Sequence, residues 1–438
     1  MGKKAVVCSV KREILVAART GYCFIILLLI AGAGCSTVTN PVLSEKEIRR
    51  EIKTDYSVKD PEFRASMSSL LGGPLVDGNK IEQLQNGEEI FPAMLEAIRG
   101  AQKSINIESF IWSSGKVSTE FVSALSERAK AGVRVHVIVD WLGSLYLTHR
   151  DARRMREAGV DLVRLNPLVS IKFFRFNHRT HRKLMIVDGR VGFIGGVCIS
   201  DHWNGNAERG KWRDIHFRVE GPVVAEMQGT FCGNWLAARS QVLQGRNYFP
   251  ELKPVGAMAA QCFPSGPRDH AEQARLSYLL AMAAAQKTIR LAHAYFVPSN
   301  IAIKTLLDAR KRGVKVEVII PSKIDNFAVH MASRSRCKKL LDAGVEFYEY
   351  RPTFYHCKIM VVDDTWATVG SVNFDEKSFH ANDEANLNVL DQGFAAALSK
   401  TLDEDRSKSR RLTKEDFKRQ SVFTRVANYF VGLFHADL

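Results

Sequence analysis

Two short stretches of this chain set a histidine and a lysine one residue apart with an aspartate further on: HRKLMIVD at 181–188 and HCKIMVVD at 356–363. In each, the lysine is followed by an apolar run with the look of a strand bound for an interior. Alternation along a strand puts His181, Lys183 and Met185 on one face and Arg182 and Leu184 on the other. An unpaired charge costs several kcal/mol to bury, so a histidine and a lysine entering a core together require an anionic partner, resident or visiting.

Two such pairs facing one pocket supply a nucleophile, a general acid and two positive charges. That set suits a phosphodiester. One imidazole attacks phosphorus, the other protonates the departing oxygen, and Lys183 and Lys358 stabilise the charge gathering on the non-bridging oxygens. The scheme requires no metal and no cofactor. No CxxC, HExxH or clustered carboxylate spacing offers a metal site, and the lack of a GxxxxGK[ST] loop argues against nucleotide-driven transfer. Asp188 and Asp363 complete the motifs and are counted with the catalytic set. They close strands LMIVD and IMVVD at hairpin turns, so their expected work is structural: bonding backbone, or an outward cation such as Arg182.

The elements that must position these groups also occur twice. AQKSINI at 101–107 is echoed by AQKTIRL at 285–291, AGVRVHVIVD at 131–140 by RGVKVEVIIP at 312–321, and REAGVDLVRLNP by LDAGVEFYEYRP. A tandem repeat explains this better than chance, and 438 residues suit two domains with extensions. Stretches such as FPAMLEAIRGAQ have helical spacing, while VRVHVIVD and VKVEVIIP are β-branched runs too short for helices. The alternation predicts an α/β sandwich with a largely parallel sheet. The expected division is a targeting segment at 1–34, an extension at 35–78, a first domain at 79–220, a linker region at 221–270 with ELKP and PSGPRD as breakers, a second domain at 271–400, and a basic amphipathic tail at 401–438.

The paired HxKxxxxD motifs, each followed by a glycine turn (Gly195-Gly196, and Gly370-Ser371-Val372-Asn373), resemble those of the phospholipase D superfamily. GNKIEQLQNGEEIFPAMLEAI, FIGGVCISD and WATVGSVNFDEKSF are similar to bacterial cardiolipin synthases of the short form without two transmembrane helices. The resemblance implies two tandem phospholipase D-like α/β/α domains related by a pseudo-twofold around one shared active site. It implies that His181 attacks one phosphatidylglycerol to give a phosphatidyl-histidine. His356 then protonates the leaving glycerol and deprotonates a second phosphatidylglycerol, yielding cardiolipin. It further implies that Asp214 and Glu384 orient the two imidazoles, and that Asn373 and Ser371 contact phosphate. The first copy departs by carrying Cys198 where the second has Asn373, and Lys377 stands where the family more often has arginine. Hydrolysis or headgroup exchange on phospholipids uses the same motifs, as does a metal-independent nuclease; with both motifs intact, a catalytically dead binding module ranks last.

Location is read from the ends. Five basic residues precede YCFIILLLIAGA, too short for a spanning helix of roughly 20 residues and suited to a signal peptide. The small residues before Cys35 resemble a lipoprotein processing site, with a signal anchor or a peripheral protein as alternatives. The expected setting is a bacterial cell envelope, lipid-anchored through Cys35. A net charge of +15 suits an anionic membrane or nucleic acid; the leader and the apolar carboxyl-terminal tail favour phospholipid and disfavour nucleic acid. SIKFFRFNHRTHRK at 170–183 interleaves cations and aromatics as a rim between headgroups, and DFKRQSVFTRVANYFVGLF is expected to form an interfacial helix. The scattered cysteines form no disulfide framework, and Cys357 should face away from the site.

Overall fold

The computed structural model describes residues 52–167, 178–208, 210–267, 270–323 and 327–418. The first copy contributes β1 (Val76–Gln85), β2 (Ser104–Ser109), β3 (Arg134–Asp140), β4 (Asp161–Leu165), β5 (Lys183–Val187), β6 (Val191–Gly195) and β7 (Ile215–Glu220). The second contributes β8 (Met258–Ser265), β9 (Thr288–His293), β10 (Phe296–Val297), β11 (Lys315–Pro321), β12 (Glu346–Tyr350), β13 (Lys358–Val362), β14 (Trp366–Gly370), β15 (Phe374–Asp375), β16 (Glu384–Leu390) and β17 (Ser409–Arg411).

Traced outward from the middle, the first copy runs β1-β7-β6-β5-β2-β3-β4 and the second β8-β16-β14-β13-β9-β11-β12-β17. The repeated sequence therefore yields a repeated strand order. β1 and β8 pair antiparallel at the centre and fuse both halves into one 15-stranded sheet. Within each half the strands built from β-branched runs, β2-β3-β4 and β9-β11-β12, are parallel. The motif strands β5 and β13 lie antiparallel to β2 and β9.

Helices cover both faces, the α/β/α arrangement expected from the alternation. Met185, Val187 and Phe193 pack with Ile90, Phe91, Phe121 and Leu125 of helices Asn86–Gly100 and Lys116–Lys130. On the other face Leu184, Ile186 and Ile194 join Val224, Met227 and Phe231, and this layer continues into the second copy through Cys357, Ile359 and Val361. Cys357 thus points away from the histidine face, as alternation requires.

Three boundaries differ from the expectation. The segment 221–270 carries helix Val224–Arg239 and the central strand β8, which pairs along its length with β16. Breakers at ELKP and PSGPRD masked the helical spacing of Val224, Met227, Phe231 and Trp235, all fully buried. At the carboxyl end, helix Gln392–Ser407 runs through position 401, and β17 pairs with β12. Ahead of the first copy, helix Pro61–Leu71 buries Phe63, Met67 and Leu71 against the second copy's Tyr278, Met282 and Trp366, so this stretch is core. The leader with Cys35, residues 170–177 of the aromatic-basic stretch, and the tail beyond 418 lie outside the described residues. Among the described residues no helix is long and apolar enough to cross a membrane.

Candidate active site

The two histidines sit two residues ahead of their strands, where the copies are laced together. His181 N donates to Asp383 O (2.8 Å) and Asp383 N to Arg179 O (2.9 Å). In mirror fashion His356 N donates to Arg213 O (2.8 Å) and Arg213 N to Phe354 O (2.9 Å). Each motif is thereby bridged in parallel to the segment bearing the other copy's acid. The acids exchange partners in consequence: Glu384 lies 2.8 Å from His181 Nδ1, and Asp214 lies 2.7 Å from His356 Nδ1.

Each carboxylate has a further donor holding it. The Ser371 hydroxyl donates to Glu384 Oε2 at 2.5 Å, while the Trp203 indole Nε1–H and the Ile215 N–H donate to Asp214 at 3.0 and 2.9 Å. The counterpart of Ser371 is Gly196, where an added Cβ would lie 2.5 Å from the Asp214 carboxylate. A glycine is required there, and Trp203 takes over the donor's part. With Nδ1 bound to an acid, each imidazole keeps its proton on Nδ1 and its lone pair on Nε2, which at His356 faces Lys358 Nζ at 3.1 Å.

Electrostatics separates the halves. Burial pulls His181 down to about 4, with Glu384 opposing. His356 is driven well below its ordinary range by burial and by the charges of Lys358 and Lys183. Both shifts favour the neutral imidazole at neutral pH. Burial pushes Glu384 up, but its contacts with His181, Lys183 and Ser371 overcome this and leave it low and ionised. Burial lifts Asp214 to about 6. The lysines are equally enclosed. Lys183 Nζ donates to His181 O (2.5 Å) and lies over the Phe110 ring, and burial lowers its pKa. Lys358 Nζ donates to His356 O (2.7 Å), lies 3.1 Å from His356 Nε2, and is lowered by burial to about 8.

One expected partner and one expected role change, those of Arg182 and Ser371. Asp188 and Asp363 touch neither histidine. Asp188 accepts from the N–H groups of Gln102, Lys103 and Ser104 at 2.7–2.9 Å, and Asp363 from those of Gln286, Lys287 and Thr288 at 2.7–2.8 Å. They tie the start of β2 and β9 to the motif hairpin through backbone N–H groups, and they belong with the turns rather than the reacting groups. Arg182 is not their partner; it donates to Glu384 O and Thr230 O. Ser371 commits its proton to Glu384 and so is not free to donate to phosphate. Asn373 is nearly buried, and its amide oxygen has no partner among the described residues. Cys198, its counterpart, accepts weakly from Ile111 N at 3.5 Å.

The described end of the aromatic-basic stretch, residues 178–183, is buried rather than a rim; His178 Nε2 meets Asp383 Oδ2 at 2.9 Å. Sequence reasoning missed the aromatic enclosure. Trp203 and Trp212 have ring centroids 5.3 Å from His356, with Phe354 at 5.9 Å, whereas His181 has Phe110 at 5.1 Å. Two tryptophans in the polar stretch DHWNGNAERGKWRD were the available signal.

With this geometry in view, comparison with known proteins is direct. The model of the family described as "Cardiolipin synthase, PLD-like domain" matches residues 94–210 and 278–406. The chain belongs to that family of phospholipase D-type phosphatidyltransferases. It is 35% identical to the probable cardiolipin synthase YwiE of Bacillus subtilis, over 82% of this chain and 72% of that protein. It is 31% identical to cardiolipin synthase 1 of Bacillus anthracis, over 90% and 79%, and 32% identical to the minor cardiolipin synthase ClsB of Bacillus subtilis, over 80% and 87%. Among solved structures, phosphatidylserine synthase of Haemophilus influenzae superposes with a TM-score of 0.60 at 15% identity, covering 82% of this chain and 95% of that one, which shows the shared fold. Family membership places the paired motifs within a phospholipase D-like enzyme.

Proposed function

We propose that the protein makes cardiolipin from two molecules of phosphatidylglycerol through a phosphohistidine. The observation that carries this reading is the crossed pairing of His181 with Glu384 and His356 with Asp214. His181, neutral and bonded to an ionised carboxylate, is the nucleophile: its Nε2 forms a bond to phosphorus as the bond from phosphorus to the glycerol oxygen breaks. His356, whose proton affinity is lowered by burial and by the charges of Lys358 and Lys183, gives up a proton readily once charged. The incoming phosphodiester anion offsets the charges of Lys183 and Lys358 and raises the proton affinity of His356. His356 gives its proton to the departing glycerol, then takes one from the terminal hydroxyl of the second phosphatidylglycerol. That oxygen bonds phosphorus, the bond from Nε2 to phosphorus breaks, and His181 is restored. Lys183 and Lys358 stabilise the crowded phosphate oxygens, and the Asn373 amide N–H donates to one of them.

The protein works at an anionic membrane of the bacterial envelope, held by a lipid on Cys35. The relatives named as cardiolipin synthases support transfer over hydrolysis. Expression in a bacterium unable to make cardiolipin, with lipids read by mass spectrometry, tests the reading: cardiolipin appears with the native chain and disappears with His181→Ala or His356→Ala. Absence of cardiolipin at confirmed protein levels refutes it.

A further inference from the structure

Large apolar side chains exposed among the described residues are scattered singly except in one place. Leu142, Leu145 and Tyr146, exposed by 43%, 52% and 78%, fall within five consecutive positions after β3. Helix His149–Glu157 follows at once, and its Arg150, Arg153, Arg154 and Arg156 are all exposed, with Glu157 as the one exposed acid. Arg150 has only a 3.6 Å contact to Asp151, with its side chain 87% exposed.

This knuckle is fastened to the catalytic strand. Asp140 Oδ1 accepts from Leu142 N (2.9 Å) and Gly143 N (3.2 Å), while its Oδ2 accepts from Thr180 N (3.1 Å), the residue before His181. Gly143 O accepts from Trp112 N (3.1 Å), and Tyr146 O from Ser114 N (3.0 Å). A Cβ at Gly143 would lie 2.1 Å from Phe110 O, so the loop lies directly on Phe110, whose ring is 5.1 Å from that of His181. Apolar side chains beside arginines, rigidly joined to the nucleophile, match the pattern of a protein surface that enters the headgroup region of an anionic bilayer.

We propose that Leu142, Leu145 and Tyr146 insert into an anionic phospholipid bilayer while Arg150, Arg153 and Arg154 contact its headgroups, presenting the His181 side of the site to the membrane. This rests on the phosphatidyl-transfer reading only for the identity of the lipid. Insertion brings the phosphate layer to the strand that carries the nucleophile, so a lipid reaches His181 without leaving the bilayer.

The test uses the full chain. Tyr146→Trp is mixed with vesicles of phosphatidylglycerol and phosphatidylcholine whose acyl chains carry bromine. Insertion quenches its fluorescence beyond that of the native chain; bound protein with no added quenching overturns the proposal. Leu145→Glu/Tyr146→Glu is then assayed on those vesicles without bromine and on a short-chain phosphatidylglycerol dispersed in detergent. A loss of about tenfold on vesicles alone is expected. Equal loss on both substrates, or on neither, contradicts the proposal. Arg150→Glu/Arg153→Glu should lower the preference for phosphatidylglycerol over pure phosphatidylcholine vesicles by about fivefold per arginine removed, and an unchanged preference contradicts the headgroup contact. A native chain that is inert on both substrates, together with added quenching of the Tyr146→Trp protein, supports the docking surface and refutes the chemical reading, so the two fail separately.

Discussion

The halves of the active site share a strand order and a motif yet surround their histidines differently. Among the described residues His181 meets one aromatic ring, and it faces a low, ionised Glu384 braced by Ser371. His356 is boxed by Trp203, Trp212 and Phe354, faces an Asp214 lifted to about 6, and has Lys358 against its ring. Duplication delivered the positions, and divergence of the flanking residues set the proton affinities. Two identical imidazoles are thereby given unlike tasks, as in other sites where environment pushes paired titratable groups apart.

The largest effect should come from breaking the crossed pairs. Glu384→Gln and Asp214→Asn each keep the shape but leave the imidazole with the wrong tautomer, and phosphatidyl transfer should fall by about a thousandfold or more in each. Glu384→Gln should suppress formation of the phosphohistidine through the nucleophile, whereas Asp214→Asn should slow both its formation, which uses His356 as acid, and its turnover, which uses His356 as base; rapid-quench kinetics separates the steps. An effect of Glu384→Gln confined to the second step would reverse the assignment.

Lys358→Met comes next, with a loss of about a hundredfold in kcat/KM for removing one charge from the phosphate cradle. In the native chain kcat/KM should fall as pH rises through about 8, where Lys358 loses its proton. The stability effect has the opposite sign. Between about 8 and its ordinary 10.5, the unfolded chain binds the proton that folded Lys358 has lost, so this residue's contribution to stability rises with pH across that window. The Lys358→Met protein should therefore melt higher than the native chain near neutral pH and lack that alkaline gain.

Smaller changes follow at the braces. Trp203→Phe keeps the ring but removes the donor to Asp214, and Ser371→Ala does the same to Glu384; each should cost about tenfold in kcat, the scale of an outer partner's loss. Restoration of rate by Ser371→Thr, which keeps the hydroxyl, would distinguish bracing from simple packing. The smallest kinetic effect is expected for Asp188→Asn and Asp363→Asn. These should lower stability by about 1.5–3 kcal/mol each through weakened charge-assisted bonds, measured by urea denaturation, with kcat of the folded fraction nearly unchanged.

The motif chemistry and the tandem architecture were legible because both repeat within the chain: a histidine, a lysine and an aspartate at fixed spacing, twice, on strands of matching pattern. The crossing of Glu384 to His181 and Asp214 to His356 was not, since it depends on parallel bridging between segments 203 and 142 positions apart, which no local pattern encodes. The use of Ser371 was not legible either, since a hydroxyl's direction is set by its neighbours, here Glu384. The linker region was misjudged for a related reason. Proline- and glycine-containing breakers flank β8, while its short, small-residue run MAAQCF owes its strand conformation to β1 and β16 on either side.

The central claim is the division of labour between the histidines. A phosphatidyl ester of p-nitrophenol has a leaving group that needs no proton, so the first step no longer requires the acid. With this substrate and radiolabelled phosphorus, His356→Ala should release one burst of nitrophenolate and accumulate label on His181, whereas His181→Ala should give neither. Label accumulating on His356 in the His181→Ala protein, with none on His181 in the converse variant, would contradict the account.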